Sequence, residues 1–158
     1  MSKTTFTKEQ IQEVIKAAGF VQVQEAQRPN FFPEWIKNNY RFLFAENAIY
    51  DTFGEWIKGY NGTYLEFYKT PDGKYGFVVP TLKSINETIA ISNPNNWFDG
   101  ELNMLQLGIA ASLVSLNRIA WLQGSGPEES EMYHQHNRKL LGLLNKMSMS
   151  ADVRAILD

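Results

Sequence analysis

Between Met104 and Leu122 the chain is apolar at almost every angle of a helical wheel, and Arg118 is the only charge in the run. A helix without a polar face has none to show water, so it belongs at the centre of a domain with other elements packed around it. Gly108, Ala110, Ala111, Ser112 and Ser115 keep parts of its surface low, which lets neighbouring elements approach closely. Asn103 stands directly before the run as a candidate N-cap. With 158 residues the chain is expected to form one domain, long enough to bury roughly 70% of the surface that its unfolded form exposes.

The elements that must cover this helix can be placed from local signals. Thr7-Lys8-Glu9-Gln10 has capping-box spacing, and Ile11, Val14, Ile15 and Ala18 form a stripe ending at Gly19, which predicts an amphipathic helix over about 7–19. Pro29 and Pro33 bracket Asn30-Phe31-Phe32, an ordered crossing pinned by its aromatics. A second helix is predicted over about Phe42 to Lys58, with Phe42, Ala45, Ile49, Phe53, Trp56 and Tyr60 on one side. Three short strands follow, Thr63 to Lys69, Tyr75 to Val79 and Ile85 to Ile91, separated by Pro71-Asp72-Gly73 and by the break at Pro80. They read as an antiparallel meander rich in cross-strand aromatics. Asn93-Pro94-Asn95-Asn96 is a polar turn that should return Trp97 and Phe98 to the core. Helices over about 128–146 and from Ser150 through Leu157 complete the chain. The expected class is α+β: a small antiparallel sheet packed against several helices, with the 104–122 helix central.

Composition mainly excludes. Forty-four per cent hydrophobic and 13% aromatic residues fit an ordered globular protein, and the absence of cysteine removes disulfides, thiolate metal sites and cysteine nucleophiles. Met1 to Lys8 is polar and lacks the apolar stretch of a signal peptide, and Leu107 to Leu116 is about half of what a bilayer requires, so a cytoplasmic location is expected. Fifteen Lys and Arg against 17 Asp and Glu give a net charge of −2 without long blocks. That is neither the basic footprint of a phosphate-tracking protein nor the dense negative surface of a DNA mimic. The aromatic strands could be a stacking platform for single-stranded nucleic acid, but only Lys69, Lys74 and Lys83 lie near, and such platforms need a basic groove.

Catalytic constellations are sparse. His134 and His136 are two residues apart on a predicted helix and do not share a face, so they read as a solvated surface rather than a metal site. Ser125 between glycines lacks the spacing of a nucleophile elbow, and no phosphate-binding glycine loop is present. Asp99 and Glu101 flank Gly100 and could hold a divalent cation with Asn96. They supply about three of the roughly six oxygens such a site needs, so an acidic lead-in to the next helix is the simpler role. Glu46 interrupts the apolar sector of its helix as Arg118 interrupts the central one. Three roles are open to Glu46: the edge of the stripe with access to water, a catalytic carboxylate, or a structural buried pair, for which Arg118 is the natural partner. No cofactor and no metal is expected.

Several blocks in register carry a further signal. Ala45-Glu46-Asn47-Ala48-Ile49-Tyr50, then Tyr60-Asn61-Gly62-Thr63-Tyr64-Leu65-Glu66-Phe67-Tyr68, Asp72-Gly73-Lys74-Tyr75-Gly76-Phe77-Val78-Val79-Pro80 and Asn96-Trp97-Phe98-Asp99-Gly100-Glu101-Leu102 together resemble the ArdB/KlcA family of antirestriction proteins. The resemblance covers about 31–122 and leaves the N-terminal thirty residues and the tail outside it. Leu65 stands where that family carries Trp, and Asn103-Met104-Leu105 replaces a Ser-Ala-Asp helix start. What the resemblance implies is an inhibitor, not an enzyme, that protects incoming mobile DNA from host type I restriction-modification systems without imitating DNA. The alternatives are a small hydrolase using Glu46 or Asp99, or a generic protein-binding module of a mobile element. Recognition would then rest on a local surface, for which the turn residues Tyr60, Asn61, Asn96, Asp99 and Glu101 are the candidates, with no strong nucleic-acid binding and no membrane partner.

Overall fold

The computed structural model describes residues 6–36, 41–122 and 124–158. Its elements are α1 (Lys8–Ala17), β1 (Val21–Gln22), a 3-10 segment (Glu25–Asn30), α2 (Phe31–Trp35), α3 (Arg41–Trp56), β2 (Leu65–Lys69), β3 (Gly76–Pro80), β4 (Thr88–Asn93), β5 (Phe98–Asn103), α4 (Met104–Ala120), α5 (Pro127–Asn145) and α6 (Ser150–Leu157). The class is α+β, as expected. Helix α4 is the axis: it touches α3, α5, α6, β3 and β5, and Leu107, Ile109, Leu113 and Leu116 are all buried. Asn103 caps it, its side chain accepting from the Gln106 amide while the Gln106 side chain accepts from the Asn103 amide. Thr7 and Gln10 make the same reciprocal cap on α1. On α3, Ala45, Ile49, Phe53 and Trp56 face the core as the periodicity requires; the Phe42 side chain and the Met1–Thr5 part of the signal-peptide reading lie outside the described residues.

The sheet differs from a simple meander. Strands β2 and β3 form the expected hairpin, Leu65 opposite Pro80 and Lys69 opposite Gly76, but its third strand is β1, with Val21 opposite Lys69. Strand β4 pairs only with β5, in a separate antiparallel ribbon. The reason lies on the outer edge of β3. The amides of Thr70 and Thr81 donate to the carbonyls of Tyr75 and Tyr64, so alternation turns the amides of Gly76 and Val78 away from β2. Val78 N–H donates to Ser112 Oγ at 3.1 Å, Gly76 N–H donates to His136 Nε2 at 3.2 Å, and the next outward position is Pro80, which has no N–H. Helices α4 and α5 have taken the edge that a fourth strand would need. The approach is close: a Cβ on Gly108 would stand 2.0 Å from the Val78 carbonyl oxygen, so only glycine lets α4 lie along that strand.

The run 98–103 is strand rather than helix lead-in. Asp99 and Glu101 therefore do not sit in the first turn of α4; they precede its cap on β5. Among the described residues no helix is long and apolar enough to cross a membrane.

Candidate interaction surface

The β4–β5 ribbon has two faces set by the two-residue period of a strand. Ile91 and Leu102 are buried on the inner face, whereas Thr88, Ala90, Ser92, Asp99 and Glu101 are exposed on the outer one. Asp99 lies opposite Ser92 and Glu101 opposite Ala90, which puts both carboxylates side by side on open surface. Glu101 also borders a cleft of about 440 Å³ that it shares with Asn86, Thr88 and Asp152.

The tip of the ribbon is held from behind. Asn96 Nδ2 donates to the carbonyls of Ile156 at 2.8 Å and Ala155 at 3.1 Å, and Asn93 Nδ2 donates to Ile156 at 2.9 Å. Those carbonyls belong to the last turn of α6, where no further helical amide is available to them. The Asn96 Oδ1 accepts the Phe98 amide and the Asn93 Oδ1 accepts the Asn95 amide, so both asparagines bind in two directions. Asn96 is thus the bracket of the tip, its amide spent within the fold. Between the bracket and the strand, Phe98 turns inward but Trp97 does not. Its backbone is left-handed, φ +64°, and its side chain is 90% exposed, against the expectation that both aromatics return to the core. A four-residue loop joins Asn93 to Phe98, and Trp97 is its last residue, outside the alternation that decides which strand residues face inward.

Tyr60 and Asn61 stand elsewhere, on the connection from α3 to β2. Asn61 is exposed; Tyr60 is half-buried with its ring 5.9 Å from Phe53. Its hydroxyl is buried without a hydrogen-bond partner, and burial, then the neighbouring Tyr50, raises its pKa above the usual phenol value. Among the described residues no hydrogen bond, ion pair or ring contact joins this pair to the ribbon.

The expected buried pair is replaced by another arrangement. Arg118 is exposed and meets Glu55, not Glu46, at 3.7 Å, with both side chains more than 40% exposed. Near the C-terminal end of α4 the helix rises to the surface beside α3, which gives Arg118 access to water. Glu46 is half-buried at the edge of the apolar stripe, next to Tyr50, whose pKa is raised first by burial and second by the Glu46 charge.

The largest departure from the sequence reading is His136. It is buried, not solvated: Nε2 accepts from the Trp35 indole at 2.9 Å as well as from Gly76, and Nδ1 faces the Met132 carbonyl at 2.9 Å. Two donors on Nε2 assign the ring proton to Nδ1 and the neutral form to the side chain. Desolvation drives its pKa from 6.5 down to about 4, with the Met132 bond pulling weakly the other way. The ring packs against Trp35 and Tyr75 at centroid distances of 5.5 and 5.1 Å and floors an open cleft of about 880 Å³ between the hairpin turn and the start of α5. Its polar atoms are all committed, so it ties α2, β3 and α5 together and has no capacity left for acid–base work or a metal. One signal could have found it: with α5 numbered from Pro127, His136 shares the side of Leu140 and Leu144, one and two turns on, and both are buried. Among the described residues no three His, Asp or Glu side chains lie together as a metal site.

Comparison with known proteins bears on the whole chain. No protein-family model matches it. A protein of Escherichia coli (strain K12) named "Putative antirestriction protein YubI" is 30% identical over 100 residues, 63% of this chain and 66% of that protein, slightly under two thirds of its length. A solved structure of the KlcA and ArdB proteins superposes with a TM-score of 0.72 over 100% of both chains, at 22% sequence identity. Those proteins are described as having a novel fold and antirestriction activity against type I DNA restriction systems in vivo but not in vitro. This chain has the fold of KlcA and ArdB.

Proposed function

We propose that this chain, built on the fold of KlcA and ArdB, is an antirestriction protein that relieves cleavage by host type I restriction-modification systems. The observation that carries the reading is a full-length structural match to proteins with antirestriction activity, joined by a relative named as an antirestriction protein that is 30% identical over 100 residues. The inhibition is stoichiometric in character, a matter of binding rather than turnover. Glu46 has a tyrosine for its neighbour, and Asp99 stands on an open face.

It works without DNA mimicry. Duplex DNA carries one phosphate per ~1.7 Å of axis, whereas this chain has a net charge of −2 in 158 residues and a ribbon face with two carboxylates. The contact surface is the β4–β5 ribbon with Asp99 and Glu101 outward and Asn96 as its bracket. Tyr60 and Asn61 form a second, separate patch. The partner is a component of the restriction machinery rather than nucleic acid or a membrane.

The test is plating of unmodified phage on cells carrying a type I system, with and without the protein. Plating efficiency should rise when the protein is made; an unchanged efficiency refutes the proposal. Purified protein should release no product from DNA or nucleotide substrates, and any turnover would favour the hydrolase instead.

A further inference from the structure

We infer that Trp97 is the anchor of a protein-docking surface at the ribbon tip, one that receives arginine or lysine side chains of the partner; this rests on the antirestriction reading for the identity of that partner. A left-handed position at the end of a hairpin loop suits glycine or asparagine, and any other residue there is strained by roughly 1 kcal/mol. Tryptophan at φ +64° bears that strain and also leaves one of the largest apolar side chains 90% in water. Neither cost is recovered by a hydrogen bond or ring contact of the Trp97 side chain among the described residues. The turn is closed by Asn93 and Asn96, and the core contact of this segment is made by Phe98.

The ribbon tip is also rigid. The tip is tied to the end of α6 through three hydrogen bonds donated by the side-chain amides of Asn93 and Asn96, so the Trp97 ring projects from a fixed platform and little ordering is needed when it docks. Buried tryptophans dominate binding energies for this reason, together with their area.

Charge selects the partner. The exposed face next to Trp97 carries Asp99 and Glu101 with Thr88, Ala90 and Ser92, and no lysine or arginine. An indole face is the best aromatic acceptor for a cation, and adjacent carboxylates supply charge-assisted hydrogen bonds to the same group. Phosphates would be repelled by this face, and a membrane surface site would call for basic residues around the tryptophan. Trp121, 83% exposed, provides the contrast: its neighbour on the same helix is Arg118, and it follows α4 as its C-terminal cap.

The decisive variant is Trp97→Gly, which deletes the ring while suiting the left-handed backbone. It should melt at or above the parent's temperature and still lose restriction relief, by roughly 30-fold for a hot-spot anchor. Asp99→Lys combined with Glu101→Lys should lose relief to a similar extent, and Trp121→Ala should keep it. A photoreactive phenylalanine in place of Trp97, irradiated in cells that carry the type I system, should crosslink to an arginine- or lysine-containing peptide of a restriction subunit. A folded Trp97→Gly protein with full relief overturns the anchor, as does a crosslink to nucleic acid, to lipid or to nothing. Absence of relief by the parent itself is a different failure: it removes the antirestriction function, and this partner with it.

Discussion

Two regions of this protein use polar side chains in opposite ways. Along the outer edge of β3, Ser112 and His136 are buried and each is consumed by the backbone it caps; on the β4–β5 ribbon, Asp99, Glu101 and Trp97 are exposed, and their side chains make no hydrogen bond or ion pair among the described residues. The first arrangement lowers the energy of the native state because an uncapped buried amide is expensive. The second contributes little to folding and is free to be spent on a partner. On the proposed reading, stability and recognition fall on different strands, and a change in one should leave the other intact.

The strongest way to break that separation is at the closest contact. Gly108→Ala would put a methyl 2.0 Å from the Val78 carbonyl and 2.8 Å from Val79 Cα, both backbone atoms. A loss of more than about 4 kcal/mol is expected in denaturant melts, beyond the usual range for a single substitution. A mild effect would mean that α4 can step away from β3 at little cost.

His136→Leu comes next. It strands the Trp35 indole and the Gly76 amide and should cost about 3 kcal/mol. The same residue makes stability depend on pH. Its folded pKa of about 4 lies below the ordinary 6.5, so in that window the unfolded chain holds a proton that the folded chain lacks. Stability therefore falls as pH is lowered from 6.5 to about 4 and levels off beneath, a total of about 3 kcal/mol from this group. Urea melts of the parent and the Leu variant across that range measure the slope, which should shrink in the variant.

Ser112→Ala removes the acceptor for Val78 N–H and should cost about 1–2 kcal/mol by thermal melting. Separating Arg118 from Glu55 by Glu55→Gln should cost only ~0–1 kcal/mol, because the pair is open to solvent. A loss near the 3–5 kcal/mol typical of buried pairs would show a burial that the geometry lacks. At the far end of the scale, Asp99→Ala and Glu101→Ala should leave the melting temperature unchanged and lower restriction relief in the phage assay. Relief that tracked melting temperature through this whole series would erase the distinction between the two regions.

Much of the fold was legible because its causes are local. The caps at Thr7 and Asn103, the stripe from Ala45 to Trp56, the Pro71-Asp72-Gly73 turn and the burial of Leu107 to Leu116 all follow from spacing and capping chemistry that operate within a few residues. The close approach allowed by Gly108 and Ser112 could be anticipated from their size. Of the candidate surface, Asp99 and Glu101 are on open ground as the sequence suggested, whereas Asn96 turned out to be spent on α6 and Tyr60 to be half-buried.

What stayed hidden depends on partners distant in the chain. Strand β4 could not be assigned to its ribbon until α4 was seen occupying the edge of β3. The sign of Arg118's environment depended on where α4 surfaces beside Glu55. His136 meets Trp35 across 101 positions of sequence, and no window around either residue contains the other. Trp97 belongs to the same class: its composition asks for burial, and only the pinning of the loop to α6, sixty residues away from Asn96, turns it outward. The sequence alone determined the long helices, the β2–β3 hairpin and which helix must be central, since apolar periodicity, turn chemistry and caps act locally, whereas β1, the short α2 and the strand character of 98–103 escaped it. Edge pairing, buried acceptors and the exposed tip were decided by tertiary structure, because each is a question of which remote group fills the space beside a donor, a ring or a strand.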